Sequence, residues 1–76
     1  MEVQKMDFSK KVCKKVRDER EKSGRSQMEF AVAIGMSTYH YGEIERQHVN
    51  ISVDTVNRIA TELNIQPYEL LQVDEE

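Results

Sequence analysis

SQMEFAVAIGMSTYHYGEIERQ, from Ser26 to Gln47, is the stretch whose reading decides the fold. Ser26 is a good helix N-cap, and Glu29 three residues on completes the spacing of a capping box. Phe30, Ala31 and Ile34 then recur at helical spacing. Gly35 stands where a chain leaving a helix needs positive φ. Ser37 suits the N-cap of a second helix, with Tyr41 and Ile44 as its buried side. Tyr39 and Tyr41 are two apart and cannot share a helix face, so Tyr41 goes to the core and Tyr39 to the outside. The stretch predicts a helix, a glycine-containing turn of about three or four residues, and a second helix.

Upstream, Phe8, Val12 and Val16 recur every fourth residue and predict the buried stripe of a first helix. Asp7 or Ser9 would cap it, and it would run to about Ser23. Gly24 ends it, with Lys22 well placed for the C-terminal dipole. Cys13 lies beside the stripe and reads as a small packing residue; a reactive thiol is the weaker reading without a neighbouring base or a second cysteine. Residues 1–6 hold nothing that closes a helix and are expected to be frayed.

Downstream, QHVNI at 47–51 has no strong periodicity and reads as a loop. Ser52 then caps a fourth helix with Val53, Val56, Ile59, Ala60 and Leu63 on one face. Asn64 suits the left-handed residue at its end, and Pro67 the first turn of a short fifth helix, PYELLQV. The acidic tail, 73–76, is expected to be disordered. The expectation is a single all-α domain over residues 7–72, built from five short helices with short connections.

Composition narrows the classes. The chain has 76 residues, 33% charged and 38% hydrophobic, with one proline and one cysteine. That suits a small helical domain better than a sheet. A single cysteine excludes an internal disulfide and a paired-cysteine zinc site. No apolar run approaches the roughly 18 residues of a membrane helix, and the N-terminus has no signal-peptide segment, so a cytoplasmic location is expected. Two histidines, one cysteine and scattered carboxylates show no metal-ligand or nucleophile–base spacing, so the expectation is no enzyme, no metal and no cofactor. Net charge is −3 but unevenly spread. Residues 1–25 carry nine Lys/Arg against five Asp/Glu, residues 26–50 one against three, and residues 51–76 one against six. The KKVCKK run at 10–15 is either a local binding surface or the solvated side of the first helix.

Taken in register, several short matches form a longer one. Val16-Arg17 with Arg20, Gly24-Arg25-Ser26-Gln27, Phe30-Ala31, Ile34-Gly35-Met36-Ser37, Ile44-Glu45-Arg46, Asn50, Ser52 to Thr55, Ile59-Ala60 and Leu63 follow one another without a gap. In this the chain resembles the lambda-repressor-like, Cro/C1-type helix-turn-helix proteins, over roughly Phe8 to Leu71. Its short form and its Asn50–Thr55 segment are similar to the small controller proteins of restriction–modification systems.

The resemblance implies double-stranded DNA as partner, with the second helix of the motif in the major groove. Gln27 is similar to the family glutamine that hydrogen-bonds a phosphate beside a helix N-terminus. Thr38, Tyr39 and Glu43, after the cap Ser37, occupy the base-reading positions, and His40 is either a further contact or a surface histidine. Arg46 and Asn50 match positions that bind backbone phosphate. Arg20 and Glu45 resemble a buried ion pair tying helix one to helix three, whose loss of one partner would cost about 3–5 kcal/mol.

Several positions depart from the family pattern. Gly42 lies inside the reading helix, where glycine costs about 1 kcal/mol relative to alanine. Glu43 stands where many members carry Arg, Lys or Gln; a carboxylate accepts from cytosine N4 but repels phosphate. Gln47 replaces a frequent glycine, and Glu19 a leucine. Attraction to DNA is then left to Arg25, Arg46 and His48.

The functional expectation is a sequence-specific transcription regulator acting as a homodimer on a near-palindromic operator. The dimer would form through the C-terminal helix, by Ile65, Tyr68 and Leu71, since one side of that segment is left apolar after the core is closed. No small-molecule ligand is expected, the chain having no ligand domain. The alternative is a protein-interaction module of the same fold, an antitoxin-like or antirepressor partner with little DNA binding of its own, which Glu43 and the acidic C-terminal half would favour.

Overall fold

The computed structural model describes residues 5–73. Among the described residues five helices follow in order: α1 Lys5–Lys22, α2 Gln27–Ala33, α3 Thr38–Glu45, α4 Val53–Leu63 and α5 Pro67–Leu70. The particle measures 40 × 24 × 20 Å. α1 begins at Lys5, ahead of the cap expected at Asp7 or Ser9. Ser9 instead spends its hydroxyl on the backbone of the α3–α4 loop, accepting from Ile51 N at 3.1 Å. Of residues 1–6, expected to fray, Lys5 and Met6 belong to α1, a correction; residues 1–4 and the acidic tail from Asp74 lie outside the described residues.

α2 and α3 have seven and eight residues, far below the roughly 12–15 at which an isolated helix begins to hold in water. Their ends and their packing hold them. Ser26 accepts from Glu29 N at 3.1 Å while the Glu29 carboxylate accepts from Ser26 N at 2.9 Å, the reciprocal box expected from the sequence. Ser37 caps α3 by accepting from His40 N at 3.0 Å, and Ser52 caps α4 by accepting from Thr55 N at 3.0 Å.

Three helices end in the same way. After α2, Met36 N donates to Ala31 O and Gly35 N to Val32 O; after α3, His48 N donates to Glu43 O and Gln47 N to Ile44 O; after α4, Ile65 N donates to Ala60 O and Asn64 N to Thr61 O. Each is a Schellman cap with one residue in the left-handed region. That residue is Gly35 at φ +74, Asn64 at φ 59, and Gln47 at φ 64. Glycine and asparagine accept this conformation readily; glutamine does not.

The core joins Val12 and Val16 of α1, Phe30 and Ala31 of α2, Ile34, Tyr41 of α3, Val56, Ile59 and Ala60 of α4, and Leu70 of α5. Burying each large side chain contributes about 1.5–3 kcal/mol. Phe30 and Tyr41 meet with ring centroids 5.5 Å apart at 56°, the tilted geometry aromatic pairs prefer. Cys13 is fully buried, as a packing residue should be, and burial pushes its thiol up.

Two positions on the expected apolar stripes are not buried. Phe8 is 39% exposed and Val53 87% exposed. Both lie at the edge of the domain, where with Val12, Ile51, Pro67 and Leu71 they line an apolar groove of about 750 Å³ between α1, α4 and α5. Periodicity places them on the correct side of their helices, but none of the described residues fills the space before them. α5 is also shorter than expected: it stops at Leu70 instead of running on through Gln72 and Val73. Of the residues expected at a partner-facing surface, Ile65 is half-buried against the core, and Tyr68 and Leu71 are exposed.

Candidate nucleic-acid interface

α3 is set by its buried side. Tyr41, Ile44 and Glu45 are turned inward, and Glu45 is the anchor. Its side chain is 3% exposed, and Arg20 of α1, 11% exposed, lies against it with Nε at 2.6 Å from Oε2. Arg20 Nη2 donates to Oε1 at 3.1 Å, so the contact is bidentate. Tyr41 donates its hydroxyl to Glu45, and Gln27 donates its amide N–H to Oε1 at 2.9 Å. Arg20 also donates to Arg25 O, across the α1–α2 turn, at 2.5 Å. Among the described residues no buried side-chain polar atom lacks a partner. Burial pushes the Glu45 carboxyl up, but the donors from Arg20, Tyr41 and Gln27 together outweigh it and hold the group below its ordinary value. Arg20 is raised by its hydrogen bond to Glu45, and burial, then the Glu45 carboxylate, push the Tyr41 hydroxyl well up.

This anchor joins α1, α2 and α3 at one point and leaves the other side of α3 in water. Ser37, Thr38, Tyr39 and His40 are all exposed, Tyr39 at 75%. Asn50 is exposed in the α3–α4 loop. Gln27 sits at the first position of α2, half-buried, with one amide N–H already given to Glu45. Glu43 and Arg46 follow Tyr39 along the outer side of α3, but they are paired with each other, Arg46 Nη2 to Glu43 Oε2 at 2.5 Å. His48 Nδ1 stands 3.3 Å from Glu43 Oε1. Hydrogen bonding to Arg46 is the main cause that holds the half-buried Glu43 carboxyl below its ordinary value.

Two of the cations expected to attract DNA are therefore committed within the chain. Arg46 is tied to Glu43, and Arg25 pairs with Glu62 at 2.6 Å while its guanidinium lies 5.6 Å from the centre of the Phe30 ring. The role of Gly42 was not legible in the sequence. It is buried, and a Cβ built on it would meet the Arg46 guanidinium, with Nη1 at 3.2 Å. The signal was present as two oddities, a helix-interior glycine and an arginine four residues later, but nothing in sequence says that the arginine folds back. Among the described residues no group of His, Cys, Asp or Glu is arranged to hold a metal, and no helix is long and apolar enough to cross a membrane.

A helix anchored through a buried carboxylate on one side, with hydroxyls, an aromatic ring and an imidazole in water on the other, and a capped glycine turn before it, defines a helix-turn-helix DNA-binding domain. The chain belongs to the Cro/C1-type helix-turn-helix family, whose sequence profile matches residues 16–70. It is a DNA-binding transcription regulator of that type, and the family is non-enzymatic. Among solved structures, the restriction-modification controller protein C.AhdI from Aeromonas hydrophila is similar over 84% of this chain and 91% of its own, at 33% identity and a TM-score of 0.76. The hypothetical transcription factor NHTF from Neisseria is similar over 99% and 87%, at 25% identity and a TM-score of 0.80. No curated protein sequence matches.

Proposed function

We propose that the chain is a homodimeric, sequence-specific regulator that binds a near-palindromic operator in double-stranded DNA. The observation that carries this reading is the outer surface of α3: Thr38, Tyr39 and His40 stand exposed in succession on a helix fixed from behind by Tyr41, Ile44 and Glu45. Thr38 and Tyr39 offer carbon to a thymine methyl and hydroxyls to base or phosphate. The remaining amide N–H of Gln27, the N-terminus of α3 at Ser37, Asn50 and Arg46 are the phosphate contacts. Arg46 has five N–H donors, and the bond to Glu43 uses one of them.

One such domain buries too little surface for tight specific binding, so two act together on half-sites roughly 34 Å apart. Tyr68 and Leu71 are the contacts proposed for the second copy, beside the apolar groove that Phe8 and Val53 line. Similarity to C.AhdI supports a controller role, with restriction–modification genes as the regulated target.

Binding to the DNA upstream of its own gene, measured against random duplex over a range of salt, tests this. The expected preference is about a thousandfold or more at moderate salt. Arg46→Ala should weaken all sequences alike and lower the salt slope by about one, whereas Thr38→Ala and Tyr39→Ala should relax preference at particular bases. Affinity for that DNA no better than for random duplex would leave the protein-interaction reading in its place.

A further inference from the structure

The two departures at the centre of the recognition helix, Gly42 and Glu43, meet in space through Arg46. Apart from its chain neighbours and the helix's own backbone, the three atoms nearest to a Cβ built on Gly42 all belong to the Arg46 guanidinium: Nη1 at 3.2 Å, Nη2 at 3.4 Å and Cζ at 3.6 Å. The missing side chain is thus the seat on which the guanidinium lies. From that seat Arg46 Nη2 reaches Glu43 Oε2 at 2.5 Å, and His48 Nδ1 lies 3.3 Å from Oε1. Each oxygen of the Glu43 carboxylate has one neighbour within the chain and keeps further lone-pair directions open.

Two consequences follow from this arrangement. A bare carboxylate near phosphates is repelled, but one paired with a guanidinium is compensated and can be held there. An ionised carboxylate is also acceptor-only. In the major groove, guanine presents N7 and O6 and thymine presents O4, all acceptors, while cytosine presents the N4 amino donor; adenine presents its amino group beside the N7 acceptor. A fixed carboxylate therefore discriminates by repulsion as well as by attraction.

We propose that Gly42, Glu43 and Arg46 act as one device, in which Arg46, seated on Gly42, positions Glu43 as the specificity-determining residue that demands a cytosine at one position of each half-site and rejects guanine and thymine. This rests on the reading of α3 as the DNA-reading helix. It explains why a costly glycine and a repulsive carboxylate stand together: the glycine admits the arginine, and the arginine makes the carboxylate usable. Arg46 contacts phosphate with its other donors from the same seat.

Selection from a randomised duplex library, followed by affinities for single-base variants of the selected site at several salt concentrations, tests the proposal on the intact 76-residue chain. Wild type should show one position per half-site where cytosine exceeds guanine and thymine by about tenfold. Glu43→Gln, which keeps the shape but adds an amide donor, should reduce that ratio to about twofold or less and leave the other positions as they were. Gly42→Ala should weaken the same preference while raising thermal stability, which separates displacement of Arg46 from a damaged fold. The proposal is overturned if Glu43→Gln keeps every base preference and only binds all duplexes more tightly with a steeper salt dependence; Glu43 would then merely neutralise Arg46. It is overturned equally if Gly42→Ala keeps the full cytosine preference. Wild type selecting no sequence at all would remove the reading of α3 itself, and this inference with it.

Discussion

The recognition helix carries two arginine–glutamate pairs of nearly the same length on opposite sides. Arg20–Glu45 closes at 2.6 Å and Arg46–Glu43 at 2.5 Å. The first has side chains 11% and 3% exposed; in the second, Arg46 is 49% and Glu43 20% exposed. Distance does not distinguish them, and surroundings do. Glu45 has four donor groups around its two oxygens, from Arg20, Tyr41 and Gln27, and water is excluded. Glu43 has Arg46 and His48 on a solvated surface. A buried pair is costly to break because each partner, left alone, is an uncompensated charge out of water. An exposed pair contributes little to folding, since water replaces either partner. The inner pair is therefore a fastener and the outer one is free to meet a ligand.

The largest effect expected is at the inner pair. Glu45→Ala strands the Arg20 guanidinium, the Tyr41 hydroxyl and a Gln27 N–H together, and should cost about 3–5 kcal/mol. A domain of this size has a total stability on the order of 5–15 kcal/mol, so urea unfolding should show a large share of it gone. Glu45→Gln keeps some of the hydrogen bonds and should cost less. The carboxyl of Glu45 is held below its ordinary value in the folded chain. Its contribution is thus fully present above the unfolded value of about 4.3 and lost as the pH falls through the lower, folded value. The stability difference between wild type and Glu45→Gln should be constant near neutrality and shrink below about pH 4. A difference that grew in acid would mean that Glu45 is protonated in the folded state, and the contrast between the pairs would fail.

An effect of intermediate size lies at the end of α3, between the two pairs. Gln47 holds the left-handed position of a Schellman cap at φ 64, where α2 uses Gly35. A side chain there costs on the order of 1 kcal/mol. Gln47→Gly should therefore stabilise by about 0.5–1 kcal/mol, raising the melting temperature by several degrees in a domain of this length. Because His48 N donates to Glu43 O in the same cap, a firmer cap also holds the backbone beneath the outer pair. Gly35→Ala is the mirror experiment and should destabilise by a similar amount.

Much of the frame could be read from spacing, because caps and periodicity are local. Ser26 with Glu29, Gly35, Ser37, Ser52, Asn64 and Pro67 each act within a few residues of themselves, and each occupies the role its type suggests. The Arg20–Glu45 pair, separated by 25 positions, came from family resemblance; no local rule connects those residues. Local patterns ran out at the edges. Phe8 and Val53 lie on the apolar sides of their helices, yet periodicity gives a direction and not whether anything stands opposite. The candidate interface was partly legible for the same reason. That Tyr39 is outside and Tyr41 inside follows from helix geometry. That Arg46 folds back over Gly42 depends on a rotamer that spacing leaves open, and so does the inward amide of Gln27.

The smallest folding effect should come from the outer pair, and its smallness is the point. Glu43→Ala removes the partner of Arg46 and of His48 without leaving a charge out of water, so the melting temperature should stay essentially where it is. The negative charge beside the Arg46 guanidinium, which repels phosphate, is removed at the same time. Affinity for random duplex should then rise, and the logarithmic salt slope should steepen by about one ion. Stability and binding move apart at this carboxylate, whereas at Glu45 they fall together because loss of the anchor unseats α3. A Glu43→Ala protein that melted as early as Glu45→Ala would show that the outer pair also fastens α3, and the two sides of the helix would have to be regarded as one scaffold.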